Sequence, residues 1–225
     1  RLPAYDLPKL LVTPQGKTIK TAEEWHTIRR PQILALYSNL IYGCVPEPAS
    51  PIQQSFEVVK TDPEFMGGKA TRKDVKIRLK NDLGEMEMHF LVYVPNKAEK
   101  PAPTFFKHSF NNTKSRDFDV SDKNPGTLRN GWPLGDFFDR GYGFCAVYQQ
   151  DLVGHNETSF LNSIHKLFYP KGQSFPKASE WGVLSTCAWG AMRGMDYLET
   201  DDDIDHTRVA IMGHSKMGKA TLWTA

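Results

Sequence analysis

The sequence predicts an α/β fold in which a mixed sheet has antiparallel strands first and parallel strands afterwards, flanked by helices. Three observations predict it. Residues 55–94 contain strand-like segments joined by a short turn. Short apolar runs then alternate with helical stretches, as in β-α-β units. Finally, residues 208–223 form an apolar strand, a polar turn between two glycines and the start of a helix.

The composition indicates a globular protein with one substantial core, because 40% of the 225 residues are hydrophobic and 24% are charged. The net charge is only +2 and the charges are scattered, so nucleic acid is not an expected partner. No apolar run approaches the length of a membrane span, so a membrane is not expected either. Without repeats or low-complexity linkers, residues 1–225 are predicted to form a single domain.

The first helix is predicted to begin after Thr21, which with Glu24 has the spacing of a capping box. Pro31 is expected to break or restart this helix, and Gly43 to end it. Cys44, like the other two cysteines, has no metal-site or disulfide spacing and is expected to be a small core residue.

The strands are predicted from alternating or short apolar runs between turn residues. The antiparallel strands are placed at 55–60, 74–79 and 85–94, and the buried parallel strands at 104–106, 144–148 and 209–212. The third strand alternates like a half-buried strand. Helices are expected at 135–140 and 180–200, and two tryptophans on the second helix, Trp181 and Trp189, are expected to pack in the core rather than bind sugar.

The segment around Ser215 resembles a nucleophile elbow, in which a serine lies on a strained turn between a strand and a helix. Gly213 and Gly218 would let the two backbones approach each other. The spacing is Gly-x-Ser-x-x-Gly instead of the commoner Gly-x-Ser-x-Gly. The helix N-terminus would favour a developing oxyanion beside Ser215, which is therefore the predicted nucleophile.

A second interpretation uses the same residues. Positions 213–219 also fit the phosphate-binding loop Gly-x-x-x-x-Gly-Lys, which would make the chain a nucleotide-binding protein. Such a loop continues with a serine or threonine that holds magnesium, and here the next residue is Ala220.

The motif GHSKMGK at 213–219 resembles the Gly-x-Ser-Arg-x-Gly-Lys motif of the glucuronoyl esterases, particularly their bacterial branch. Segments upstream agree in order with that family over nearly the whole chain: TAEEWHTIRRPQIL, LIYGCVP, RGYGFCAVY and WGAMRGMDYLETDDDID. The resemblance implies an α/β-hydrolase fold, and a serine esterase that cleaves 4-O-methyl-glucuronoyl esters between xylan and lignin. It further implies that the protein is secreted or periplasmic, that its partner is a polysaccharide, and that it needs no metal or organic cofactor.

By the same resemblance Ser215 attacks the ester carbonyl, Lys216 helps to stabilise the oxyanion, and Lys219 hydrogen-bonds the sugar. The family usually has Arg in place of Lys216, which would give a planar fork of donors instead of one flexible ammonium. Phe110 and Asn111 follow the strand at 104–106 and occupy the loop that completes the oxyanion hole in α/β-hydrolases. The alternative is an Asn-rich turn that satisfies its own backbone.

The acid and the histidine that should follow a serine nucleophile are not found after Ser215. We therefore expect an N-terminal portion of a longer enzyme, inactive alone and completed by the rest of the same polypeptide. His214 is expected to shape the site instead of acting as base. The alternatives are an acetyl or feruloyl xylan esterase and a non-catalytic carbohydrate-binding relative. Residues 201–205, DDDID, are expected to form a solvated, helix-capping loop and not a calcium site.

Overall fold

A computed structural model describes residues 6–153, 162–170, 172–173 and 175–225. Its six strands form one sheet in the order β1-β2-β3-β5-β4-β6. The strands are β1 (Gln53–Glu64), β2 (Ala70–Asn81), β3 (Gly84–Pro95), β4 (Ala102–Ser109), β5 (Gly143–Tyr148) and β6 (Ile204–Met212). The pairs β1-β2, β2-β3 and β3-β5 are antiparallel, whereas β4 runs parallel to β5 and β6. The predicted mixed sheet is confirmed.

Helices lie before, between and after these strands. The α-helices are α1 (Ala22–Glu24), α2 (Arg30–Tyr37), α3 (Phe65–Gly68), α4 (Leu134–Asp139), α5 (Gln149–Leu152), α6 (Val183–Leu198) and α7 (Lys216–Thr224). Two π-helical turns, Trp25–Arg29 and Ser38–Tyr42, adjoin α2, and 3₁₀ turns cover Arg116–Phe118 and Ile164–Leu167. Among the described residues, no helix is long and apolar enough to cross a bilayer.

The N-terminal helical segment begins as predicted, because the Thr21 hydroxyl accepts a hydrogen bond from the Glu24 amide at 3.1 Å. Of the two predicted effects of Pro31, the structure shows a restart of the α-helix and not a break. Pro31 lies in the first turn of α2, directly after a π-helical turn, where the missing N–H costs little. Gly43 ends the segment with φ 80°, and a Cβ atom there would overlap the backbone of Glu180.

The prediction that β3 is half-buried holds for its first residues, where Glu85 and Glu87 are exposed and Met86 and Met88 are buried, but it is wrong from Phe90 onward, where both faces are buried. Phe90 and Val92 point into the core beneath α6, whereas Leu91 and Tyr93 point into a second core that includes Phe138 of α4. All four side chains are fully buried. β3 pairs with strands on both sides, and each face carries its own cover, so alternate residues fill two cores.

Helix α6 begins at Val183, later than predicted, and Trp181 precedes it instead of lying on it. Trp181 is nevertheless fully buried, with its ring edge-on to Trp189 at a centroid distance of 6.1 Å, as expected for core packing. Gly194 faces the sheet, where an added Cβ would come within 3.1 Å of the Phe90 and Phe106 rings. The glycine therefore lets α6 approach the sheet closely.

The cysteine prediction is confirmed at Cys145 and Cys187, which are buried, and wrong at Cys44, whose side chain is exposed. At this position the backbone makes the tertiary contact. The Cys44 amide donates to Ser179, and its carbonyl accepts from Trp181. The thiol is left on the surface, 3.1 Å from the Ser38 hydroxyl.

Candidate active site

Ser215 lies on the turn between β6 and α7, with φ 54° and ψ −120°. A non-glycine residue in this region stores on the order of 1–3 kcal/mol of strain, which the surrounding structure must hold. Its side chain is exposed, and no described residue forms a hydrogen bond with its hydroxyl. The turn therefore presents a free serine hydroxyl to solvent at the N-terminus of a helix.

The two glycines that bracket Ser215 have unequal roles. A Cβ atom on Gly213 would overlap the Met217 carbonyl and come within 2.5 Å of the Thr221 hydroxyl. A Cβ atom on Gly218 would meet its nearest neighbour, the Gly213 carbonyl, at 3.2 Å. Close approach of strand and helix thus requires a glycine at 213 and is only helped by one at 218.

The amides of the elbow do not suit a phosphate-binding loop. Helix α7 begins at Lys216, so most of the segment 213–219 is already helical. The Met217 amide donates to His214 at 3.0 Å, and the Lys219 amide donates to Ser215 at 3.3 Å. These amides are therefore unavailable to phosphate oxygens. The Lys216 amide, as the first of the helix, has no intrahelical carbonyl partner and can serve an oxyanion.

Phe110 and Lys216 bring the loop after β4 next to the elbow. The strands β4 and β6 are parallel neighbours, so the segments after their carboxyl ends emerge at one edge of the sheet. The ammonium of Lys216 lies over the Phe110 ring, 5.9 Å from its centroid. At this distance a cation and an aromatic face attract each other weakly. The structure thus brings together two of the predicted site residues.

Asn111 is engaged in its own turn. Its amide donates to the Ser109 hydroxyl oxygen at 3.0 Å, and that hydroxyl donates to the Asn111 carbonyl at 2.9 Å. The next residue, Asn112, accepts the Lys114 amide on its side-chain oxygen at 2.9 Å. The geometry of Asn111 matches the alternative interpretation, an Asn-rich turn that satisfies its own backbone.

Lys219 lies one turn along α7 from Ser215 and is exposed. Its carbonyl accepts a hydrogen bond from the Tyr42 hydroxyl at 3.1 Å, and the Tyr42 ring stacks on Trp223. Partial burial raises the pKa of Tyr42, which keeps its hydroxyl protonated as the donor. The helix that carries the elbow is thereby fastened to the N-terminal helical segment.

The described histidines away from the elbow include two that are deeply buried. Nε2 of His108 lies 3.3 Å from the Thr224 hydroxyl, and burial, with a smaller effect of the neighbouring Lys107 charge, lowers its pKa to about 4. His165 lies between two hydroxyl groups, and burial lowers its pKa to about 4 as well. The structural role predicted for both is confirmed, whereas His155 lies outside the described residues. His214 is exposed and forms no hydrogen bond with Ser215.

In the acidic segment 201–205, two of the carboxylates are paired with lysines. The Lys73 ammonium lies 2.7 Å from Asp201 and 2.8 Å from Asp203, and Lys100 lies 2.7 Å from Asp203. Within the described part of the chain, no group of three acidic, histidine or cysteine side chains could hold a metal ion. The carboxylates fasten the connection between α6 and β6 to β2.

Comparison with known proteins finds carbohydrate esterases that are similar in sequence and in structure. The curated carbohydrate esterase MZ0003, from an unknown prokaryotic organism, is 31% identical over 99% of this chain. A glucuronoyl esterase structure from Solibacter usitatus is 34% identical over the whole chain, with a TM-score of 0.84. A CE15 esterase structure from a marine bacterial metagenome is 28% identical over the whole chain, with a TM-score of 0.75. No family profile matches the sequence.

The chain spans 56% of the curated relative, and 61% and 60% of the two structures. Both the mixed sheet and the sequence agree with these esterases along this length. The resemblance to the glucuronoyl esterases and the α/β-hydrolase fold, both predicted from the sequence, are confirmed. In sequence and in fold, the chain is a homologue of the CE15 glucuronoyl esterases that corresponds to about three fifths of their length.

Proposed function

We propose that the chain carries the nucleophile of a serine carboxylic-ester hydrolase that acts on plant cell-wall carbohydrate esters, most specifically 4-O-methyl-glucuronoyl esters. The observation that carries the proposal is the exposed Ser215 hydroxyl at φ 54°, at the start of α7. The similarity of the chain to carbohydrate esterases in sequence and in fold supports the proposed substrate class. Since xylan lies outside the cell, we place the protein there.

In the proposed reaction, the Ser215 oxygen attacks the ester carbonyl carbon and the alcohol leaves, which forms an acyl-enzyme that water hydrolyses. The negative charge on the carbonyl oxygen would be stabilised by the Lys216 amide at the helix N-terminus and by the Lys216 ammonium. Lys219, one turn further along α7, would donate to the sugar hydroxyls. A base must take the proton of the Ser215 hydroxyl. None of the described side chains is hydrogen-bonded to this hydroxyl in a way that would let it act as that base.

The test uses the longest natural form of the protein, because the relatives extend beyond the matched length. We expect turnover of benzyl glucuronate and no turnover of acetylated xylan. Ser215→Ala should lower kcat by about a thousandfold or more. The control is Ser55→Ala, which changes an exposed serine on β1, at the far edge of the sheet.

A covalent probe gives an independent measurement. A fluorophosphonate should transfer its phosphonyl group to the Ser215 oxygen with loss of fluoride, and peptide mass spectrometry would locate the adduct. Activity that survives in Ser215→Ala would contradict a serine mechanism. Turnover of acetylated xylan alone would favour an acetyl esterase, and a folded protein that cleaves no ester would favour a binding role.

A further inference from the structure

The loop after β4, residues 110–119, is fastened to two strands that lie across the sheet from the elbow. Near its start, the Thr113 hydroxyl lies 2.9 Å from Nδ1 of His89 on β3. Near its end, the Phe118 carbonyl accepts from the Tyr93 hydroxyl at 3.2 Å and from Arg72 of β2 at 3.4 Å. These hydrogen bonds fix the path of the loop over one face of the sheet.

Asp74 connects the two attachment points. Its carboxylate accepts from Nε and Nη2 of Arg72 at 3.0 and 3.1 Å, and lies 3.2 Å from Nε2 of His89. Although burial alone would raise its pKa, the hydrogen bonds from His89 and Arg72 lower the pKa of Asp74 to about 2. Asp74 is therefore a charged group that only accepts hydrogen bonds.

The direction of the hydrogen bonds follows from this charge. Since the Asp74 carboxylate only accepts, the proton of a neutral His89 ring must lie on Nε2. Nδ1 then presents a lone pair, and Thr113 must donate its hydroxyl proton to it. Thr113 is fully buried, so its hydroxyl has no water to turn to. With a neutral His89 ring, the hydrogen bonds from Thr113 to His89 and from His89 to Asp74 have one arrangement.

We propose that Asp74 and His89 are positioning residues for the esterase reaction: through Thr113 they hold the loop 110–119, and with it Phe110, beside Lys216 and the elbow. The inference rests on the proposed function. Neither residue is bonded to Ser215, so both act through the loop. Because the loop adjoins the elbow, its displacement would change how the developing oxyanion is held more than how the sugar binds.

The test is a matched pair of substitutions in the longest natural form of the protein, assayed on benzyl glucuronate. Thr113→Val keeps the shape of the side chain and removes the hydroxyl, whereas Thr113→Ser keeps the hydroxyl. We expect the valine variant to lower kcat by about ten- to a hundredfold with KM within about threefold, and the serine variant to stay within about threefold in both. Thr104→Val, a buried threonine on β4 that donates to Ala102, controls for loss of a buried hydroxyl.

Equal losses in the valine and serine variants, or a loss confined to KM, would overturn the inference. A measurement on the unmodified protein decides the case if the valine variant fails to fold. The ¹⁵N chemical shifts of the His89 ring should show a proton on Nε2 and none on Nδ1, and a proton on Nδ1 would overturn the inference. Ser215→Ala in the same assay separates the two proposals: if it stays active, the serine mechanism fails, whatever the Thr113 pair shows.

Discussion

Tyr42 and Trp223 stack face to face, with ring centroids 4.4 Å apart and an angle of 4° between the rings. Tyr42 is the last residue of the N-terminal helical segment, and Trp223 lies in the last turn of α7. The helix that begins after Ser215 is thus held by residues from the opposite end of the chain. The position of this helix, and that of Ser215, depends on this contact.

Substitution at Tyr42 separates the stack from the hydrogen bond. Tyr42→Phe keeps the ring and loses the donor to the Lys219 carbonyl, so we expect the free energy of unfolding to fall by about 1 kcal/mol. Tyr42→Leu also removes the stack and should cost about 2–4 kcal/mol. Denaturant unfolding of both variants measures the difference. Equal costs would show that the stack contributes nothing beyond the hydrogen bond.

Gly213→Ala should prevent the elbow from closing, because the added methyl group would overlap the Met217 carbonyl, which is part of the helix backbone. We expect at least a hundredfold loss of kcat and a fall of about 3 kcal/mol in the free energy of unfolding. Gly126→Ala is the control, since the nearest atom to its methyl group would lie at an ordinary 3.5 Å. Near-normal kcat in Gly213→Ala would show that the turn can form without this close contact.

Lys73 is the partly buried partner of the acidic segment, and its removal leaves Asp201 with a side chain only 4% exposed and no ammonium beside it. Lys73→Met should therefore lower the free energy of unfolding by about 3–5 kcal/mol. Lys100→Met removes a lysine that is 41% exposed and should cost less than about 1 kcal/mol. Thermal or denaturant unfolding measures both, and similar costs would contradict the burial argument.

Stability should fall as the pH falls from about 6.5 to 4, because His108 and His165 resist protonation in the folded state. Burial lowers both pKa values to about 4, whereas an unfolded histidine titrates near pH 6.5. The unfolded chain therefore binds more protons in this window, which costs on the order of 2 kcal/mol per residue by pH 5. The loss of stability is complete once the pH is below the folded-state pKa of about 4.

His108→Leu should remove about half of this pH dependence, measured as unfolding free energy at pH 7 and pH 5. His26→Gln, which changes an exposed histidine, is the control and should leave the slope unchanged. An unchanged slope in His108→Leu would mean that His108 is protonated as easily in the folded state as in the unfolded chain.

Substitutions at Lys216 test whether its ammonium can do the work of the arginine that glucuronoyl esterases usually have at this position. Lys216→Met removes the charge that we propose stabilises the oxyanion, and it should lower kcat by about ten- to a hundredfold with little change in KM. Lys216→Arg should keep or raise kcat, because its planar fork can hold the Phe110 face and the oxyanion together. The measurement is steady-state hydrolysis of benzyl glucuronate. A methionine variant with normal kcat would leave the backbone amide as the main contributor.

The sheet could be predicted from the sequence because its signals are local. Turn residues and alternation located all six strands, and the strand-glycine-serine-glycine-helix order located the elbow. The ends of the strands were harder: β1 runs from Gln53 to Glu64, well past the predicted 55–60, because pairing with β2 extends it beyond its apolar residues. Tertiary contacts, and not local preference, decide where a strand stops.

The side-chain networks could not be predicted, since they join residues far apart in sequence. His89 lies in an apolar strand with nothing beside it to indicate Asp74 or Thr113 as partners. The exposure of Cys44 could not be predicted for the same reason, because its backbone contacts to Ser179 and Trp181 carry no sequence signal.

The attachment of the loop 110–119 to β2 and β3 also sets an order in time during folding. Arg72 and Asp74 come from one strand and His89 from the other, so their shared contacts exist only after that hairpin has formed. The loop can settle only then, although it precedes β5 and β6 along the chain. Its ordering would be a late event that reports a completed hairpin.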